Sequence, residues 1–396
     1  MKILHTVELY NPSVGGVQEV VRQISERLVR LGHDVTVATA RLPDRDFSVL
    51  NGVKIEEFNI TGNAVRGFSG EVDRYQKFIL KSDFDVIMNY AAQQWATDLV
   101  LPILNEISAK KVFVPCGFSG LLLPEYGNYF EQMKTWLKQY DACVYASKNY
   151  RDIDFARACG ADNGVFIPNG AGADEFCQKL DIDIRAQLEI PRDYFLILHV
   201  GSHTSIKGHK EAIQIFKKAK IKHASFLVVA SNSGRGCNGS CLRAEKLYRW
   251  NFFSKMSDKK ILIKSLSRKE TIAAYHEADF FLFPSNIECS PLVLFEAMAS
   301  KTPFLTTDVG NAKEIIEWSN GGELLPTLKF KNGYAKADVE KSADILQRIF
   351  HNYKKRKTLA KNGYENWKTS FTWEKITRQY EELYLKLLKN KKSGGL

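Results

Sequence analysis

Short runs of apolar and β-branched residues alternate with amphipathic stretches along almost the whole chain. KILHTV (2–7) predicts a strand. Val17 to Leu31 predicts a helix, because Val17, Val20, Val21, Ile24, Leu28 and Leu31 recur at helical spacing on one face. Gly32 stands where that helix should end. DVTVATA (34–40), VKIEEF (53–58), DVIMNY (85–90), KKVFVP (110–115) and DACVYAS (141–147) continue the strand series, with helical segments between most of them. A second series follows VFIPNGAGADEF (165–176). It comprises YFLILHVG (194–201), SFLVVAS (225–231), KKILIK (259–264), ADFFLFP (278–284) and TPFLTT (302–307), each followed by a helical or Gly-containing segment. Strands alternating with helices predict a parallel sheet covered on both faces, and two such series predict two sheets. The turn Pro168-Asn169-Gly170 with Asp174-Glu175 reads as the linker. SFTWEKITRQYEELYLKLL (370–388) repeats apolar positions at Trp373, Ile376, Tyr380, Leu383 and Leu387, as a helix would. The expected architecture is α/β, with domains over 1–172 and 173–369 and a C-terminal helix over 370–396 that crosses back to the first domain.

Length and composition agree with this division. A chain of 396 residues is long for one core, and 44% hydrophobic with 26% charged residues is ordinary for folded domains. After Lys2 the apolar run is cut by His5, Thr6 and Glu8, unlike a secretory leader, and no stretch reaches the ~18 apolar residues of a membrane span. A cytoplasmic location is expected. Seven cysteines, an odd number without framework spacing, fit that compartment. Cys237 and Cys241 lie in a C-x3-C pattern, which without a second ligand pair is thin support for a metal or a disulfide. The short tail Lys391-Lys392-Ser393-Gly394-Gly395 reads as disordered.

Charge changes the picture further. The net charge is +11, yet residues 1–175 hold 18 basic and 22 acidic side chains against 38 and 23 in the remainder. The second half is therefore expected to attract an anion, such as a nucleotide diphosphate or an acidic membrane surface. Much of the excess sits in Lys354, Lys355, Arg356, Lys357, Lys386, Lys389, Lys391 and Lys392, where a solvated helix face competes with a membrane patch. The basic residues are not interleaved with aromatics and no nucleic-acid module is present, so no nucleic-acid partner is expected.

Three motifs carry chemistry. NIECSPLVLFEAMASKTPFLTTDVGNAKEII (286–316) follows a buried strand and opens a helix near Pro291. Such a turn aims free N–H groups and the positive helix end into the crevice at the carboxyl edge of the sheet. Ser290 and Pro291 leave room for a ligand near the backbone. Glu288 and Glu296 are expected about two turns, ~12 Å, apart along one face, the span of a nucleotide sugar. HVGSHTSIKGHKEAI (199–213) places Lys207 at a helix start, where the dipole disfavours a cation unless a bound diphosphate offsets it. In NPSVGGVQEV (11–20), Gly15 and Gly16 permit close backbone approach just before a helix; a plain turn is the competing reading.

The order of Gly15-Gly16 after the first strand, IPNG at the linker, G-x5-KGH, and ECSPLVLFE followed by PFLTTDVG-x3-E resembles the retaining GT-B glycosyltransferases known as glycosyl transferases group 1, or family four. The resemblance spans nearly the whole chain, including the final Trp373-Glu374 helix, and the two-glutamate motif is its most specific part. It implies two Rossmann-like doubly wound parallel-sheet domains facing a deep cleft, an acceptor-binding N-terminal domain and a nucleotide-sugar-binding C-terminal one. It also implies hexose transfer from a nucleoside diphosphate sugar, UDP ahead of GDP, with retention and without a required metal or other cofactor. By the same resemblance Glu288 contacts the donor sugar, Glu296 the ribose and Lys207 the diphosphate. Backbone amides near Cys289–Leu292 and Gly16 complete those contacts, and Cys289, Ser290, Pro291 and Leu292 line the donor. Two positions depart from the pattern. Ser202 replaces the usual arginine after the strand glycine, with His203 positioned to supply part of the lost charge. Cys116-Gly117 stands where a histidine is usual, and Cys116 is expected as a polar pocket wall on the acceptor side, together with Asn11. The acceptor implied is a saccharide or lipid-linked hydroxyl in cell-surface polysaccharide or lipopolysaccharide synthesis. The aromatic stretches 66–80 and 124–140 are either docking segments for it at the inner face of an anionic membrane or packed core helices. A GT-B sugar-nucleotide epimerase and a non-catalytic sugar-nucleotide-binding subunit are the alternatives.

Overall fold

The computed structural model describes residues 1–81, 83–178, 180–230, 236–249 and 256–392. The chain divides into two compact units, one of Met1–Asn169 with Trp373–Leu396 and one of Gly170–Thr372.

In the first unit the strands are β1 (Lys2–Thr6), β2 (Asp34–Ala40), β3 (Val49–Leu50), β4 (Val53–Phe58), β5 (Ile60–Asn63), β6 (Gly67–Gly70), β7 (Val86–Tyr90), β8 (Lys110–Val114), β9 (Ala142–Tyr145) and β10 (Gly164–Phe166). Eight of them form one sheet in the order β10-β9-β8-β7-β1-β2-β4-β3, parallel except for the β3–β4 pair. β1 lies at the centre, with Leu4 between Thr36 and Ile87. Direction of connection reverses between β1 and β7. The helix Gly16–Arg30 buries Val20, Val21, Ile24 and Leu28. It ends as its sequence predicts: Gly32 and His33 donate back to the carbonyls of Val29 and Leu28.

The closing helix, Trp373–Lys392, belongs to this unit. Trp373, Ile376, Tyr380, Leu383 and Tyr384 are buried, whereas Leu387 is only half-buried. Tyr384 Oη lies 3.2 Å from His5 Nε2, and His5 Nδ1 lies 2.8 Å from Ser25 Oγ. Arg27 pairs with Glu374 at 2.8 Å. One buried histidine on the central strand thus joins the first helix to the last.

The second unit contains β11 (Phe195–Val200), β12 (Ala224–Val229), β13 (Lys259–Lys264), β14 (Phe280–Phe283), β15 (Phe304–Thr306), β16 (Gly322–Leu324) and the hairpin β17 (Thr327–Lys329) and β18 (Ala335–Ala337). Its sheet is parallel throughout, in the order β13-β12-β11-β14-β15-β16. Counted within the unit this is 3-2-1-4-5-6, the order of a doubly wound nucleotide-binding sheet, with its switch point between β11 and β14. The ends of the unit are tied together, because Ala171 N donates to Phe371 O at 3.0 Å and Trp367 Nε1 donates to Ala171 O at 3.2 Å.

Several local expectations change. Neither β10 (Gly164–Phe166) nor β16 had a counterpart in the predicted strand series. Both strands have three residues, too few to show a period of two. The strand predicted through Ser231 is described as Ala224–Val229, and Ser231 lies outside the described residues. The stretch 66–80 is β6 followed by the helix Val72–Lys81, and 124–140 is mostly the helix Gly127–Gln139. Their Tyr75, Tyr126, Tyr129 and Phe130 are buried in the first core, which makes them packing residues and not a docking surface. Lys391 and Lys392 end the closing helix, so they are not part of a tail; the expected disorder at 393–396 lies outside the described residues. Among the described residues no helix is long and apolar enough to cross a membrane.

Candidate functional site

The loops that leave β11 and β14 meet at the switch point of the second sheet. Ile206 O accepts from Asn286 N at 2.8 Å and from Ser285 Oγ at 3.1 Å. Gly208 has φ +72°, and a Cβ there would stand 1.8 Å from the Pro284 carbonyl oxygen. Only glycine lets the two loops come so close. Gly208 then caps the helix His209–Lys218, and Lys207 precedes it. Lys207 Nζ donates to Glu288 Oε1 at 2.7 Å, and Ser285 Oγ donates to the same oxygen at 2.7 Å. The Glu288 side chain is 9% exposed and that of Lys207 26%. A carboxylate from the second loop therefore offsets the unfavourable placement of the lysine, a role the sequence reading gave to a ligand.

Glu288 lies in the loop and not on a helix face. Pro291 is the N-cap, and the helix runs Leu292–Ala299. As the motif predicts, Glu288 precedes the helix and Glu296 lies inside it as the fifth helical residue; Glu288 turns toward Lys207. The amino end of this helix, with its positive dipole, follows the carboxyl end of β14. The loop between the two is braced from behind. Asn311 N donates to Cys289 O at 2.9 Å, Asn311 Nδ2 donates to Ser290 Oγ at 3.1 Å, and a Cβ on Gly310 would meet Cys289 O at 2.3 Å. Glu296 is buried and accepts from Arg268 Nη1 at 2.5 Å. Arg268 also reaches Glu175 at 2.9 Å, with its guanidinium 5.4 Å above the Phe176 ring. Sequence reasoning missed Arg268; no spacing signal links residues 268 and 296.

Ser202 and His203 occupy the same β11 loop. Ser202 O accepts from Thr204 N at 2.8 Å. His203 is buried, and burial holds its pKa below the usual 6.5. A neutral imidazole does not replace a missing arginine, so the charge expected of His203 is absent. Its ring stacks on His209 at 4.9 Å, and its Nδ1 lies 3.5 Å from Cys237 Sγ. Burial likewise pushes His199 to about 4 and His209 to about 2.

In the first unit the corresponding loops follow β1, β7 and β8. Asn11 O accepts from Arg45 Nε at 2.7 Å. Gly15 is the extended N-cap of the first helix (φ −176°), where a Cβ would meet the Gln18 amide oxygen at 2.5 Å. Cys116 and Phe118 take left-handed backbone conformations (φ +58° and +44°) around Gly117, and Ala91 and Gln93 do the same after β7 (φ +66° and +65°). Non-glycine residues in that region are strained and concentrate at working sites. Gly117 N donates to Asp152 Oδ2 at 2.9 Å, and Arg151 Nε donates to Gly117 O at 2.7 Å. Gln93 Oε1 accepts from Ser119 Oγ at 3.0 Å and Gly120 N at 2.9 Å, which ties the β7 and β8 loops together. Asp98 secures Gln93 and Ala64 by their amides; burial raises its pKa to about 6. The Ala91–Gln94 loop carried no recognisable motif. The singled-out residues thus fall into two sets, Asn11, Gly15, Gly16, Cys116 and Gly117 on the first unit and the remainder on the second. Each set occupies the carboxyl edge of its own sheet.

A doubly wound sheet with polar loops at its switch point, present twice in one chain, defines the GT-B class of fold. Glycosyltransferase Family 4 matches residues 14–174 and Glycosyl transferases group 1 matches residues 181–366. The chain belongs to the GT-B glycosyltransferases of group 1. It is 23% identical to an uncharacterized glycosyltransferase of Methanocaldococcus jannaschii, over 97% of this chain and 98% of that protein. Among solved structures it resembles a sucrose-phosphate synthase from Thermosynechococcus elongatus, with TM-score 0.78 and 22% identity over 98% of this chain and 99% of that one. It also resembles HepE of Anabaena in complex with UDP and glucose, with TM-score 0.71 and 17% identity over 97% and 99% of the two chains. Polysaccharide and glycolipid synthases are among its curated relatives.

Proposed function

We propose that the chain moves a hexose from a nucleoside diphosphate sugar, UDP in preference to GDP, to a hydroxyl on a saccharide or lipid-linked acceptor, with retention at the anomeric carbon. The observation that carries this reading is the Lys207–Glu288 pair beside the amino end of Leu292–Ala299, at the switch point of the second sheet. An ammonium beside the amino end of a helix suits a diphosphate. In this reading Lys207 and the amides around Cys289–Leu292 take the phosphate oxygens, without a metal in the transfer step. Glu288, already accepting from Lys207 and Ser285, turns its carboxylate to sugar hydroxyls. Glu296, oriented by Arg268, accepts from the ribose. The acceptor oxygen bonds to the anomeric carbon as the bond to phosphate breaks, and the departing phosphate oxygen takes the acceptor proton. The second unit is assigned the donor and the first the acceptor, with Asn11, Cys116 and Gly117 on that side. Gly15 and Gly16 supply backbone contacts to the donor.

The nucleotide in HepE supports a UDP-linked donor for this chain. Relatives named for capsular polysaccharide and lipopolysaccharide synthesis support a cell-surface acceptor. The test is a thermal-shift screen of UDP- and GDP-sugars, since a true donor raises the melting temperature by mass action. NMR of the product then fixes its anomeric configuration. A larger shift with GDP-sugars would replace the donor. An inverted product would end the retaining reading, and an epimerised donor without a glycoside would end the transferase reading of this site.

A further inference from the structure

Behind the Lys207 loop, three side chains converge that the transfer chemistry does not use. His203 comes from the loop after β11, Cys237 directly precedes the helix Asn238–Arg249, and Cys241 lies in its first turn. Cys241 N donates to Cys237 O at 2.9 Å, so the two thiols are one turn apart on the same side of the helix. The ligand atoms of all three residues lie within 4.8 Å of one another, and His203 Nδ1 stands 3.5 Å from Cys237 Sγ. A tetrahedral zinc site, with Zn–S near 2.3 Å and Zn–N near 2.0 Å, needs N–S separations of about 3.5 Å and S–S separations of about 3.8 Å. One edge already has that length, and the others, at no more than 4.8 Å, need to close by at most about 1.3 Å.

We propose that His203, Cys237 and Cys241 bind a thiophilic divalent metal ion, zinc by their chemistry, which fastens the loop carrying Lys207 to the helix Asn238–Arg249. Two thiolates and an imidazole form a soft donor set that selects zinc over magnesium or calcium. His203 and Cys241 are buried and Cys237 half-buried, so three protein ligands and one water would complete a tetrahedral shell. The backbone is shaped to bring these residues together. Gly236 has φ +137°, and a Cβ there would stand 1.6 Å from the His203 carbonyl oxygen. The C-x3-C spacing lacked a further ligand in sequence; the fold supplies it from the β11 loop. The ion acts on the loop and takes no part in sugar transfer, so the proposal stands apart from the choice of donor and acceptor.

The experiment uses the full chain, reduced and stripped of metal with a chelator. Titration with Co2+ is expected to give a thiolate-to-cobalt charge-transfer band that saturates at one equivalent and is displaced by Zn2+. Cys237→Ser, Cys241→Ser and His203→Ala are each expected to weaken Zn2+ binding by more than ~100-fold while far-UV circular dichroism stays native. Should a variant misfold, the unaltered protein still decides the matter: Zn2+ must slow alkylation of Cys237 and Cys241 and leave the exposed Cys177 unchanged. A cobalt spectrum without the thiolate band, Zn2+ affinity unchanged in His203→Ala, equal alkylation with and without Zn2+, or a Cys237–Cys241 disulfide in freshly isolated protein would overturn the proposal.

Discussion

Lys207 and Glu288 come from loops 81 positions apart, yet they share a hydrogen bond of 2.7 Å. Replacing either with Ala is expected to lower kcat/KM at least ~100-fold, about 2.7 kcal/mol of transition-state stabilisation, with the circular dichroism spectrum unchanged. Steady-state kinetics against the best donor checks this, and transfer near the unaltered rate by both variants would remove the pair from the site. Gly208 makes a sharper structural prediction. Gly208→Ala would place its Cβ against the Pro284 carbonyl, so the urea midpoint is expected to fall clearly. At this scale the sequence was informative wherever chemistry depends on residue type: Lys207 and the two glutamates stood out. It was silent on Arg268, whose contact with Glu296 spans two helices. It misled on His203, because burial cancels an imidazole's charge and burial is not a local property.

Helices and long strands were legible because each repeats its period several times. The closing helix shows what that legibility is worth. Ile376 is fully buried, whereas Leu385 on the same helix is 40% exposed. Ile376→Ala is expected to destabilise the first unit by ~2–5 kcal/mol, and Leu385→Ala by less than ~0.5 kcal/mol, measured by urea unfolding. Equal effects would show that the helix is not packed as described. The three-residue strands β10 and β16 were missed because pairing with a neighbouring strand defines them more than any pattern of their own. The stretches 66–80 and 124–140 were ambiguous for a related reason: an amphipathic helix presents the same pattern whether its apolar face meets a core or a membrane.

Across the whole molecule, four buried imidazoles among the described residues, those of His5, His199, His203 and His209, create a common dependence on acidity. Burial lowers His5 to about 3, His199 to about 4 and His209 to about 2, from 6.5 when unfolded. Below pH 6.5 the unfolded chain therefore binds protons that the folded chain refuses, and stability falls as pH falls. Carboxyls raised by burial, Asp98 to about 6 and Glu8 and Asp152 in the same direction, act in the opposite sense at lower pH. The expected result is greater net proton uptake on unfolding at pH 6.2 than at pH 8, where buried Lys259, lowered to about 8, still contributes, measured calorimetrically in buffers of different ionisation heat. Equal uptake at both values would contradict the burial of these rings. The alternation of strands and helices, a local periodicity, was enough to establish two α/β sheets and the order of their elements. Residue types at the loop positions were enough to single out Lys207, Glu288 and Glu296. Tertiary structure alone decided which strands are neighbours, that Glu288 faces Lys207 and not along a helix, and that His203 joins two cysteines. Those outcomes depend on contacts between segments far apart in the chain, where distance and burial, not spacing, set the chemistry.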